Sequence, residues 1–152
     1  MKSVALGCIS LVAISLTSCA TVRMGSEDTQ AELKKFEPVP GKVSLYVCRE
    51  DAAFVGAGNH TTVMVDNQDI GTLKPNTFAH AVLEPGNHNI YLDFHPGGKS
   101  GTLTIQTQAN DVPIVWAGVT GHGWGVLTVD EFPNRADAEN CIRGATYAVP
   151  GP

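Results

Sequence analysis

The chain has 152 residues, a formal net charge of −5, 16% charged residues, 16 glycines and four cysteines. That is the length of one domain, and with no basic run to neutralise phosphates it excludes nucleic acid as a natural partner. Few charges, abundant glycine and many β-branched residues suit short strands joined by tight turns.

The N-terminus carries one lysine, Lys2, ahead of an apolar run over residues 4–16. As a helix that run rises roughly 20 Å, short of a ~30 Å hydrocarbon core, so it reads as a signal peptide and not as a permanent span. Leu16-Thr17-Ser18-Cys19 follows and reads as a lipobox, with residues 1–18 removed and Cys19 acylated as the new N-terminus. Plain signal cleavage is the alternative, since Thr17 and Ser18 suit that as well. Two or more acyl chains hold a protein stably on a bilayer. Ala20, where aspartate would mark inner-membrane retention, resembles outer-membrane sorting, so the expected place is the outer membrane, facing the periplasm. Loss of Lys2 with residues 1–18 takes the net charge from −5 to −6.

Export settles the cysteines. Cys8 leaves with the signal peptide and Cys19 carries lipid, which leaves Cys48 and Cys141 as an even pair in an oxidising compartment. A disulfide is the expected state, with two buried free thiols as the alternative. Two thiols without CxxC or CxxH spacing do not make a metal site.

Residues 19–40 are polar and end at Pro38-Val39-Pro40-Gly41. Leu33 and Phe36 are too few apolar positions to hold a helix, so the segment reads as a flexible lipid-anchored tether. From residue 41 to 152 the hydrophobic period is two, which marks a β domain. Val43, Leu45 and Val47 share one face of a first strand over 43–48. Further strands are expected at 61–66, 70–73, 76–83, 88–94, 102–107, 113–119 and 124–130, and Glu84-Pro85-Gly86-Asn87 reads as the turn of a hairpin joining 76–83 to 88–94. About seven short strands imply an antiparallel β-sandwich, immunoglobulin-like in architecture, or a partly closed barrel. One helix interrupts the pattern at 134–143: Asn134 caps it, Asp137 lies near its positive end and Gly144 stops it. Tyr46 and Cys48 point away from the Val43/Leu45/Val47 face, so a terminal helix presenting Cys141 is expected to lie over that outer face and staple it.

The stretch with Phe36, Pro38, Pro40, Gly41, Tyr46 and Arg49 resembles the opening of a family of bacterial lipoproteins of unknown function. The match continues through Val63-Met64-Val65-Asp66, Ile70-Gly71-Thr72-Leu73, Phe78 and Leu83-Glu84-Pro85-Gly86-Asn87-His88. The segment is also similar to the PEGA-type surface-layer module, whose strands join through similar proline-glycine turns. The resemblance covers residues 31 to about 95 and implies a small β-sandwich on a lipid anchor, with no activity attached. Cys48 stands where the family pattern has an aromatic or aliphatic residue, so the resemblance does not supply the disulfide.

Five histidines raise a metal hypothesis. A two-residue Pro85-Gly86 loop would set His80 opposite Tyr91 and Asp93 opposite Phe78, grouping His80, Tyr91 and Asp93. The plain alternative is a solvent-facing polar patch. His88 falls on the Ile90/Leu92/Phe94 face and reads as a hydrogen-bonded structural residue, while His60 and His95 sit in loops. Gly121-His122-Gly123-Trp124-Gly125 offers His122 and Trp124 as recognition groups, but a strand follows it and no helix N-terminus is there to hold phosphate. No nucleophile elbow or S-x-x-K is present, and Asp130 and Glu131, adjacent on a strand, point to opposite faces. The expectation is a non-enzymatic envelope protein with no cofactor and no metal. It would be held to the membrane through Cys19 and would dock another envelope protein by a sheet edge or by loops. The alternative is a small-ligand or metal-binding domain using His80, Tyr91 and Asp93, or His122 and Trp124.

Overall fold

The computed structural model describes residues 22–50, 60–94, 97–120 and 126–151. The expected signal peptide, Cys19, His95 and the His122/Trp124 loop lie outside these residues. Helix α1 (Glu27–Leu33) precedes the strands β1 (Val43–Arg49), β2 (Thr61–Val65), β3 (Gln68–Leu73), β4 (Thr77–Leu83), β5 (Gly86–Phe94) and β6 (Gly98–Lys99). There follow β7 (Leu103–Thr107), β8 (Ile114–Thr120), β9 (Val126–Glu131), α2 (Arg135–Gly144) and β10 (Thr146–Tyr147). The strands form two sheets, ordered β10-β4-β1-β8-β9 and β3-β2-β5-β6, with β7 also paired to β5. The molecule is a β-sandwich with a short C-terminal helix.

Pairing is antiparallel through most of the molecule, but β1 runs parallel to β8 and β10 parallel to β4. The long excursion through the second sheet between β4 and β8 lets the chain re-enter the first sheet beside β1 in the same direction. Asp66 and Asn67, both at positive φ, form the two-residue turn between β2 and β3, a conformation asparagine and aspartate tolerate.

The expected hairpin around Pro85 is not formed. β4 pairs with β1 and β10, whereas β5 pairs with β2, β6 and β7. The Glu84-Pro85 step therefore carries the chain from one sheet to the other. Turn residues set a local reversal but leave open which of the two sheets receives the next strand.

Between the sheets lies an aliphatic core including Leu45, Val47, Val63, Leu73, Ile90, Leu92 and Val115. A second core lies on the outer face of the first sheet, where Tyr46, Cys48 and Phe78 meet Ala138, Ile142 and Ala145, joined by Phe36. The Cys48–Cys141 disulfide ties α2 to β1, with Cα atoms 6.3 Å apart, within ordinary disulfide geometry. The staple over the outer face is therefore present, and every residue of β1 is buried.

The described part of the expected tether is folded onto the domain. Ser26 caps α1 by accepting the Thr29 N–H at 3.2 Å, and the Tyr46 hydroxyl donates to the Leu33 carbonyl at 2.8 Å. Phe36 packs edge-to-face on Tyr46, 5.6 Å between centroids, beneath the guanidinium groups of Arg135 and Arg143. Upstream, Val22 packs against the inter-sheet core, Met24 bridges to Ala148, and Gly25 N–H donates to the Tyr147 carbonyl at 2.9 Å. Leu33 and Phe36 suffice because they join an existing core, a non-local partner that local periodicity does not register.

Candidate functional site

α2 does more than seal β1. Its N-cap Asn134 accepts the Asp137 N–H at 3.0 Å, and the residues spaced along one side, Asp137, Asn140, Cys141 and Gly144, form one wall of a cleft of about 730 Å³. The opposite wall comes from β8 and β9, where Trp116 stands in register with Asp130. Trp116 is fixed from two sides. Its Nε1–H donates to a Glu50 carboxylate oxygen at 3.0 Å, and its ring lies so close over Gly118 that a Cβ there would fall 2.1 Å from the indole. Only glycine leaves that space.

The cleft gathers four carboxylates, Glu50, Asp130, Glu131 and Asp137, and the described residues lining it include no lysine or arginine. Asp130 stands opposite Trp116, and Glu131, the last residue of the edge strand β9, also borders the cleft. An acidic groove with an indole in its wall attracts cations by Coulomb forces and by the ring's negative face. Phe132 also lines this cleft and a smaller one of about 440 Å³ that includes Ile105 and Ile114.

The residues expected to form a ligand site do not converge. His80 lies on the outer face of the first sheet, with Nε2 2.8 Å from Ser44 Oγ and its ring 4.7 Å from that of Tyr46. Burial pushes its pKa from 6.5 down to about 4, so it is neutral at pH 7. Tyr91 and Asp93 are neighbours on β5, in the other sheet. The Tyr91 hydroxyl donates to Asn67 Oδ1 at 3.1 Å, Lys99 lies 4.8 Å from its ring centroid, and Lys99 Nζ is 4.0 Å from Asp93. His80 is thus separated from Tyr91 and Asp93 by the sandwich, a direct result of the crossover at Pro85. His88 is held between the Asp66 carboxylate at 2.7 Å and the Glu84 carbonyl at 2.8 Å, the structural position its strand face indicates. Partial burial works to raise the Asp66 pKa, but the Asn89 N–H and His88 outweigh it and hold that carboxyl below its usual range.

Ser44 and His80 have the composition of a nucleophile–base pair, yet Ser44 is 1% exposed, so no substrate carbonyl reaches its Oγ. Among the described residues, no three His, Cys, Asp or Glu side chains come together as metal ligands. The cleft itself was not anticipated. Its one sequence signal is a strand tryptophan two residues before a glycine, Trp116-Ala117-Gly118, which marks an indole laid along a strand.

A curated protein of Haemophilus influenzae, described as an uncharacterized protein, is 32% identical to this chain over 99 residues. The match covers 64% of this chain and 56% of that protein, so the chain spans little more than half the length of its relative. No family model and no solved structure matches the chain.

Proposed function

We propose that this is a lipid-anchored, non-catalytic protein of the bacterial cell envelope, held to the outer membrane through Cys19, that docks another envelope protein in the cleft between α2 and β8–β9. The observation that carries the docking reading is the cleft: four carboxylates around a fixed indole, with no basic side chain among its described lining residues. The partner it fits is a segment bearing lysine or arginine. Leu16-Thr17-Ser18-Cys19 supports the anchor, and the resemblance to lipoproteins with a PEGA-like sandwich supports the same arrangement. Burial of Ser44 supports a binding role over a hydrolytic one.

A photo-crosslinking residue at Asn140, in the cleft, and another at Thr104, on an exposed strand of the second sheet, test this in the full lipidated protein in its own membrane. Crosslinked peptides from position 140 should contain lysine or arginine and should vanish when Asp130→Asn, Glu131→Gln and Asp137→Asn are combined. Equal capture from position 104, or capture indifferent to the charge change, would sink the reading.

A further inference from the structure

The fold begins close to the acylated residue. Val22 packs into the inter-sheet core, Arg23 accepts the Val149 N–H at 3.0 Å, Met24 bridges Ala148, and Gly25 bonds Tyr147. Three peptide steps separate Cys19 from Val22, which even fully extended span about 11 Å. This pinned segment runs along the edge where the two sheets meet. There β10 is the outermost strand of the first sheet and β3 that of the second. A Cβ on Gly71 of β3 would lie 3.1 Å from the Ala148 carbonyl oxygen, and one on Gly151 would lie 3.7 Å from an Asp69 carboxylate oxygen.

Resting on the lipid-anchor reading, we infer that the sandwich is seated directly on the bilayer by its β3–β10 edge, with no free tether between lipid and domain. The occupant of this edge is a lipid surface, brought there by the length of chain outside the fold. Attraction does not bring it: Asp66 and Asp69 lie toward that edge, and the exported chain has a net charge of −6, which anionic headgroups repel. Along the first sheet, β8 is three strands from β10, so at ~4.8 Å per strand the Trp116 wall stands about 14 Å further from the anchored edge. The cleft therefore opens into the aqueous space.

The test uses the full lipidated chain in vesicles whose headgroups carry a collisional quencher. A fluorophore is placed through Gln68→Cys on β3 or Val126→Cys on β9, both exposed positions. The label at 68 should be quenched several-fold more than the label at 126, and inserting a flexible Gly-Ser segment of about twelve residues between Thr21 and Val22 should erase the difference. Equal quenching at both sites without the insertion overturns the seating, while acylation and vesicle binding would stand. A mature N-terminal peptide without acyl mass overturns the anchor reading and the seating together. Vesicle binding by a Cys19→Ala variant overturns the length argument, because affinity and not reach would then hold the edge down.

Discussion

Leu45-Tyr46-Val47 on β1 and Ile90-Tyr91-Leu92 on β5 are the same local pattern, a tyrosine between two aliphatic residues that face the inter-sheet core. Their fates differ. Tyr46 is 1% exposed, ringed by Phe36, Phe78 and His80, with its hydroxyl bonded beneath α1. Tyr91 remains partly open to solvent, under one lysine and bonded to a turn asparagine. The strands do not make this difference; the helices do. Covering one sheet on both faces turns an ordinary alternating strand into the buried centre of two cores, while the other sheet keeps a wet face.

The largest test of that contrast is to uncover β1. Replacing Cys141 with serine removes a bridge closing 93 positions, for which the chain-entropy model gives about 4–5 kcal/mol as an upper figure. Urea unfolding under non-reducing conditions should show that loss, and a variant as stable as the parent would mean that α2 seals the face unaided. Paired tyrosine truncations come next. Tyr46→Ala should cost about 3–5 kcal/mol and Tyr91→Ala under about 1 kcal/mol. Equal costs, measured by denaturant midpoints, would erase the distinction between the faces.

The covered face also carries a pH signature. The folded protein keeps His80 neutral where the unfolded chain protonates it, because burial lowers its pKa from 6.5 to about 4. Stability from this term is full above pH 6.5 and is lost as pH falls toward 4. By pH 5 the loss should reach about 1–2 kcal/mol. His80→Gln should flatten that part of the stability profile relative to the parent, and an unchanged slope would remove His80 as its source. The smallest effect is expected at the lid's own start: Asn134→Ala, which deletes the α2 cap, should cost about 1 kcal/mol by thermal unfolding.

Much of the covered sheet was legible in the sequence. The alternation in Val43-Ser44-Leu45-Tyr46-Val47-Cys48 separates two faces, and the cysteine count joins Cys48 to Cys141 on a helix whose cap is written in Asn134; the stop expected at Gly144 falls one residue later, because Gly144 remains helical and Ala145 ends the helix in an extended conformation. Those are local signals plus one covalent constraint. Pro85-Gly86 misled because a proline-glycine turn states that the chain reverses and not which sheet receives it, and the His80–Tyr91–Asp93 grouping failed with it. The segment around Leu33 and Phe36 misled for a related reason, since its partners lie far along the chain. The cleft was hidden because Glu50, just past β1, and Trp116, Asp130 and Asp137, from β8, β9 and α2, meet only where β8 runs parallel to β1.

Met24 finds its partner in Ala148, and Arg23 in Val149. A chain synthesised N-terminus first delivers Met24 long before either partner, so the seam beside Gly71 is open until almost all of the described polypeptide has been made. Folding then ends in one late closure with high contact order.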